Sequence, residues 1–219
     1  MRTVIAGGHG QIALRLERQL AARGDSTVGL IRNPAQADDL RAAGAEPAVL
    51  DLESADVADV AAVLSGADAV VFAAGAGAGS GPDRKLTVDR DAAVLLADAA
   101  ERAGVRRYVI VSSMGADAEA TGSDEGFTAY LRAKGAADDA VRARTSLDWT
   151  VLRPGGLTDE TGTGRVNLST GHTGRGTVPR DDVATVLVAL LDTPATAGLT
   201  LELISGDVPV AAAVERLTS

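Results

Sequence analysis

Val4-Ile5-Ala6-Gly7-Gly8-His9-Gly10-Gln11-Ile12-Ala13-Leu14-Arg15-Leu16-Glu17-Arg18-Gln19-Leu20 begins as an apolar run, breaks into three glycines around a histidine, and resumes as an amphipathic helix. Ile12, Ala13, Leu16 and Leu20 recur at helical spacing, whereas Val4 to Ala6 form a short continuous run of strand type. Gly8, Gly10 and Ala13 fit G-x-G-x-x-[GA], and Gly7, Gly10 and Ala13 fit the looser G-x-x-G-x-x-[GA]. Glycines so spaced let backbone N–H groups approach a pyrophosphate, while a small third residue keeps the helix close to the sheet. The helix N-terminus adds partial positive charge at the same point. Any tight turn can use glycine. Here, however, the turn is the first strand-to-helix connection of the chain, which is the context a dinucleotide site requires.

Working outward, runs rich in Val, Ile and Leu recur at Thr3 to Ala6, Thr27 to Ile31, Pro47 to Leu50, Ala69 to Ala73, Tyr108 to Val111 and Trp149 to Leu152. They are continuous rather than alternating, as in parallel strands covered on both faces. Helical spacing fills the intervals at Ile12 to Arg23, Ala35 to Ala43, Ala55 to Leu64, Leu86 to Ala103 and Phe127 to Arg144. Gly24, Gly44, Gly66 and Gly104 stand just beyond helix ends, where a left-handed cap favours glycine. The alternation predicts an α/β fold, a Rossmann-type doubly wound parallel sheet in a single domain over 1–219. After Pro154 the rhythm changes to a Gly/Thr-rich stretch, a helix from near Pro179, a strand near Leu199 to Ile204 and a short helix from Val210 to Leu217. Residues 154–182 and 199–219 are therefore expected to form a small C-terminal cap on the substrate side. The glycines between Gly75 and Gly81 predict a flexible loop.

Composition narrows the function. The 219 residues include no cysteine, which excludes disulfides and thiol chemistry and suits a reducing, cytoplasmic location. Met1-Arg2 leads straight into a strand, so no leader peptide is expected, and no apolar run approaches the ~20 residues of a membrane span. A formal charge of −9 and only 2% aromatic residues argue against nucleic acid as a partner. Two histidines, His9 and His172, leave little material for a metal centre or a Ser-His-Asp triad. The expected partner is a small molecule, and no pattern specifies an oligomeric state.

The end of the second strand bears on which dinucleotide binds. An acid there suits the ribose 2′-hydroxyl of NAD, and a cation suits the 2′-phosphate of NADP. The strand ends Ile31-Arg32-Asn33-Pro34, with no acid before Asp38, which favours NADP(H) over NAD(H). A solvated arginine at a strand end is the alternative. Asp51, after the third strand, is placed either to accept from the adenine amino group or to cap the next helix.

Phe127-Thr128-Ala129-Tyr130-Leu131-Arg132-Ala133-Lys134 sets Tyr130 and Lys134 one helical turn apart on one face. The chain has nineteen arginines but two lysines, Lys85 and Lys134, and two tyrosines, Tyr108 and Tyr130. A lysine at this spot implies that a compact ammonium is required. An ammonium beside a phenol favours the phenolate, which suits Tyr130 to exchange a proton with a carbonyl oxygen. Equally, Tyr130 could pack its ring while Lys134 is solvated. Ser112 and Ser113 end the fifth strand, on the side where open α/β sheets bind ligands. One hydroxyl there could orient the substrate oxygen, with Ser113 preferred and Ser112 in reserve.

Together, Gly7 to Ala13, Ala73-Ala74-Gly75, Val88-Asp89, Gly104 to Ser113, Tyr130 to Lys134, Leu152 to Leu157 and Val178 to Ala184 resemble the short-chain dehydrogenase/reductase superfamily. The likeness is to its atypical NAD(P)-binding branch, which includes NmrA-like and sugar-epimerase-like proteins. The resemblance implies that Ala73, Ala74 and Gly75 line the adenosine and pyrophosphate side, that Lys134 also binds the nicotinamide ribose, and that Pro154 lies beside the nicotinamide ring. The full cofactor set is Gly7, Gly8, His9, Gly10, Gln11, Ile12, Arg32, Asn33, Asp51, Leu52, Ala73, Ala74, Gly75, Ser112, Lys134 and Pro154. The catalytic set is Ser113, Tyr130 and Lys134, with no metal. The expected activity is NADP(H)-dependent reduction of a small carbonyl or quinone-like compound. The alternatives are a non-catalytic redox sensor and an epimerase or dehydratase. The region after Pro154 is short for a nucleotide sugar. Thr158 to Gly176, with Arg165 and His172, is expected to border the substrate.

Overall fold

The structure, a computed structural model, describes residues 1–77 and 79–218. Ala78, inside the glycine-rich loop read between Gly75 and Gly81, and Ser219 lie outside the described residues. The first half runs β1 (Arg2–Ala6), α1 (Gln11–Ala22), β2 (Ser26–Ile31), α2 (Ala37–Ala42), β3 (Glu46–Val49), α3 (Val57–Leu64) and β4 (Ala69–Phe72). Next come α4 (Pro82–Lys85), a π-helical stretch over Leu86–Asp91, α5 (Ala92–Ala103), β5 (Arg107–Val111), α6 (Glu125–Arg142) and β6 (Asp148–Pro154). The chain closes with β7 (Gly156–Thr158), β8 (Arg165–Ser169), β9 (Thr177–Pro179), α7 (Arg180–Leu191), β10 (Leu199–Ser205), β11 (Val208–Pro209) and α8 (Val210–Glu215).

Among the described residues the main sheet has nine strands in the order β11-β8-β10-β6-β5-β4-β1-β2-β3. All neighbours from β10 to β3 pair in parallel, and β8 runs antiparallel to β10 and β11. The continuous apolar runs are explained by burial on both faces. Val4 packs with Val70, Phe72 and Ile110 under α3, α5 and α6, while its neighbour Ile5 packs with Val71, Val109 and Leu152 under α1 and α7. Gly24, Gly44, Gly66 and Gly104 all have positive φ, as their positions after helices predict.

The chain winds outward from β1 to β3 in one direction and from β4 to β6 in the other. Beside each other at the reversal, β1 and β4 pair from Thr3↔Ala69 to Ala6↔Phe72. A crevice opens beyond the carboxyl ends of such a pair. That crevice carries the candidate site.

The C-terminal segment departs from the expectation of a cap. β8, β10 and β11 extend the main sheet, and Val166, Leu201, Leu203, Val210 and Val214 bury in the same core as α1 and α7. Among the described residues, only β7 and β9 form a separate two-stranded pair. The free edge of β6 explains the difference, because β10 pairs with it from Thr150↔Leu199 to Pro154↔Leu203.

Candidate cofactor and active site

The glycine turn is shaped by what it must pass. Gly7 has φ of 82°, in the left-handed region, and a Cβ there would lie 2.6 Å from Ala74 Cα. A Cβ on Gly8 would lie 2.7 Å from Gly29 Cα. The backbone closes on itself, with Gly8 N donating to Leu30 O at 2.9 Å and Gly10 N to Gly7 O at 2.8 Å. Gly10 caps α1 without a side chain, and the first turn of that helix holds no acid. The N-terminal dipole therefore meets no carboxylate in the first turn of its own helix. A side-chain-free cradle at a helix N-terminus fits the pyrophosphate of a dinucleotide.

The cleft above it encloses about 270 Å³ and is lined by Gly7, His9, Gly10, Arg32, Asp51, Leu52, Ala73, Ala74 and Gly75 of the expected cofactor set. The others are placed elsewhere. Gly8 backs onto β2, and Ile12 is buried in the core under the sheet. Gln11 Oε1 accepts from Arg15 Nη1 at 2.7 Å. Asn33 Oδ1 accepts from Ala35 N at 3.0 Å and so caps the 3-10 turn over Pro34–Gln36. Pro154 is buried, and its carbonyl accepts from Met114 N at 2.9 Å, tying β6 to the segment after β5.

Arg32 is not a lone cation. Its Nη1 lies 3.3 Å from Glu53 Oε2, which also accepts from Arg84 Nη2 at 3.0 Å, while Glu53 Oε1 accepts from Thr87 Oγ1 at 2.8 Å. The Thr87 hydroxyl, then Arg84 and Arg32, outweigh burial and hold the Glu53 carboxyl below its ordinary range. No acid stands between Arg32 and Asp38 in the sequence, but in space Glu53, from beyond β3, meets the guanidinium. Asp51 lines the cleft, and its Oδ1 accepts from Glu53 N at 3.0 Å. The cap of α3 is Asp56, paired with Asp59 in a capping box, so Asp51 serves the turn that presents Glu53. His9 Nε2 meets Asp39 Oδ2 at 2.8 Å, which anchors the turn to α2.

At the opposite end, α6 runs back across the tips of β4 and β5. Lys134 is buried, and its Nζ donates to Ala74 O at 3.3 Å and Val111 O at 3.2 Å. The same Nζ lies 3.2 Å from Asp89 Oδ1, an ionic contact too bent to count as a hydrogen bond, and 5.4 Å from the centre of the Phe72 ring. Asp89 Oδ2 accepts from Ala76 N at 3.2 Å. The ammonium thus clamps two strand ends to the π-helical stretch, and Lys134 is neither solvated nor free. Lys85 is also buried, with Nζ donating to Ser80 O at 3.3 Å. Both lysines of an arginine-rich chain therefore serve where a compact ammonium must fit among carbonyls.

Tyr130 lies half-buried one turn toward solvent, its ring centre 6.0 Å from Lys134 Nζ. It stacks on Phe127 at 6.0 Å between ring centres, and Phe127 is 56% exposed. Tyr108 is fully buried, and its hydroxyl donates to Ala93 O at 2.9 Å, which leaves Tyr130 as the tyrosine available to a ligand. The two serines divide as alternation requires. Ser112 is buried and donates to Asp138 Oδ2 at 2.9 Å, an oxygen also held by Arg153 Nη2 at 2.7 Å. Burial pushes the Asp138 carboxyl up, against the pull of Arg153 and Ser112. Ser113 is half-buried, and its hydroxyl donates to Met114 O at 3.3 Å. The Ser112 hydroxyl is thus tied to the Asp138–Arg153 pair, and the Ser113 hydroxyl is not.

A family model described as NAD(P)H-binding matches residues 7–194. This chain belongs to the NAD(P)H-binding family. The glycine turn and the cleft built on it fall within the matched residues. The protein is 36% identical over 218 residues to YhfK of Bacillus subtilis (strain 168), named an uncharacterized sugar epimerase, covering 99% of this chain and all of that one. Its fold matches a Bacillus halodurans protein provisionally named an NAD-dependent epimerase/dehydratase, with TM-score 0.91, 36% identity and 99% of each chain covered. It also matches the oxidoreductase ylbE from Lactococcus lactis, with TM-score 0.84, 26% identity, and 99% of this chain and 96% of that one covered. Among the described residues, no helix is long and apolar enough to cross a membrane.

Sequence reasoning missed Glu53, Arg84 and Thr87 at one end and the Asp138–Arg153 pair at the other. It also missed Glu17, which is fully buried with no hydrogen-bond partner for either carboxyl oxygen among the described residues. Glu17 was signalled by its spacing, four residues after Ala13 on the apolar face of α1. The others come together only through tertiary contacts.

Proposed function

We propose that this protein is an NADP(H)-dependent oxidoreductase that reduces a small carbonyl or quinone-like substrate. The observation that carries the reading is the side-chain-free glycine turn at the foot of a cleft that Arg32 also lines, with the half-buried Tyr130 on α6 and Ser113 after β5 as the hydroxyls proposed for the chemistry. The ylbE likeness supports oxidoreductase chemistry. When bound, the nicotinamide supplies a hydride. Ser113 Oγ donates a hydrogen bond to the substrate oxygen and fixes its orientation. The Tyr130 hydroxyl gives that oxygen its proton and recovers one from solvent. Lys134, bonded to Ala74 and Val111, holds the floor beneath both groups.

The test is turnover of purified protein with NADPH and a panel of aldehydes, ketones and quinones. At least one substrate is expected to be reduced, and Tyr130→Phe should lower kcat about a hundredfold while NADPH affinity stays within twofold. Turnover unaffected by that substitution removes Tyr130 from the chemistry. A second reading, a redox sensor without turnover, draws on the neutralisation of Lys134 by Asp89. It predicts NADPH binding with no substrate reduced and a partner that distinguishes NADPH from NADP⁺.

A further inference from the structure

Arg84 enters the cleft from α4, on the far side of the glycine-rich loop from the cradle, and stands opposite Arg32 at the end of β2. The two guanidiniums converge on one oxygen, Glu53 Oε2, and Thr87 Oγ1 donates to the other. Both arginines reach water, with 53% of Arg32 and 37% of Arg84 exposed. Two cations and a hydroxyl donor around a carboxylate make an anion pocket already filled by the chain's own anion.

We infer that Arg84 is a second residue recognising the 2′-phosphate of NADP(H), and that Glu53 is the counter-anion both arginines release when that phosphate arrives. The inference rests on the proposed NADP(H) reading and deepens it. A phosphate monoester offers three acceptor oxygens and nearly two negative charges at neutral pH. Planar guanidiniums bind such a group by paired, charge-assisted hydrogen bonds. With Glu53 in place the pocket carries one net positive charge and a carboxylate that would face the phosphate directly. With Glu53 turned out to solvent it carries two, which match the dianion. Turning the side chain out would leave the backbone of Glu53 in place, since Glu53 N is held separately by Asp51 Oδ1. Glu53 thus sets how strongly the site prefers the phosphorylated coenzyme, because its release opposes binding of NADPH and leaves NADH nearly untouched.

Calorimetric titration of the full chain with NADPH and with NADH tests this. Arg84→Ala is expected to weaken NADPH about tenfold to a hundredfold and NADH less than about threefold. Arg84→Lys, which keeps the charge without the fork, should recover part of the loss. Glu53→Gln should tighten NADPH several-fold with NADH unchanged, and the NADH titration of each variant confirms that the cleft is intact. Equal loss of both coenzymes in Arg84→Ala, or no loss of either, overturns the role of Arg84. Selective loss of NADH in Glu53→Gln overturns the role of Glu53 and makes it an acceptor for the ribose hydroxyl. Wild-type protein that binds both coenzymes while Arg84→Ala shows no selective effect sinks this inference alone. Wild-type protein that binds neither sinks the cofactor reading with it.

Discussion

At the end of the cleft beside β2, Arg32 and Arg84 meet Glu53 with more than a third of each arginine side chain in water, whereas at the other end Lys134 and Asp89 meet with less than a twentieth of either exposed. The same kind of contact serves two purposes. Exposed pairs contribute little to stability because water competes for both partners, and they exchange readily for another anion. A buried pair is costly to break, since the partner left behind is an uncompensated charge. The first arrangement suits a site that must accept a ligand, and the second a frame that must not move. Lys134, expected to act chiefly on Tyr130, belongs to the frame first.

Breaking the frame gives the largest expected effect. Lys134→Met leaves Asp89 buried without its cation and should destabilise the protein by about 3–5 kcal/mol, measured by urea unfolding. Asp89→Asn in the same chain removes the orphaned charge while keeping an acceptor for Ala76 N, and most of the loss should return. A double variant no more stable than Lys134→Met alone would mean that the carbonyls of Ala74 and Val111, rather than Asp89, set the cost.

Glu17 sharpens the comparison, because it puts an unpaired acid beneath the open end. A Cβ on Gly29 would come within 2.6 Å of Glu17 Oε1, so the carboxyl lies against the backbone that supports the glycine turn. Burial, only partly offset by Arg18, pushes its pKa from 4.5 to about 8. The folded state therefore holds a proton that the unfolded chain has lost. Stability tied to this group is fully present below pH 4.5 and is lost as pH rises to about 8. At pH 7 the loss is on the order of 3 kcal/mol. Glu17→Gln should flatten that slope, so unfolding curves at pH 5 and pH 8 should differ less than in the wild type. An unchanged slope would show that the carboxyl reaches water.

The order of visibility in the sequence follows from the range of the interactions. Strands buried on both faces must be continuously apolar, so all six principal strands can be read within two residues of their ends. The glycine turn is equally legible, because a backbone cradle excludes side chains whatever lies around it. Tyr130 and Lys134 show their spacing, but the fate of the ammonium depends on Asp89, brought beside it by the π-helical stretch across a loop. Glu53 and Arg84 are separated by 31 positions and have no local pattern. Short strands such as β7 and β9 lie in Gly/Thr-rich sequence, where pairing is decided by the neighbouring edge rather than by their own residues.

The smallest expected effect on stability belongs to Arg32, and it decides whether the open end is built for exchange. Its side chain is 53% exposed and its contact to Glu53 is long at 3.3 Å, so Arg32→Ala should change unfolding free energy by less than about 0.5 kcal/mol. Glu53 keeps Arg84 and Thr87, so no carboxylate is orphaned by the change. The same variant should nonetheless weaken NADPH about tenfold, because a charge that water screens in the free protein becomes a direct, charge-assisted donor to phosphate. A loss of several kcal/mol in folding would place Arg32 in the frame with Lys134. Affinity would then follow stability at both ends of the cleft, instead of separating from it at the end where the proposed phosphate would displace an anion of the chain.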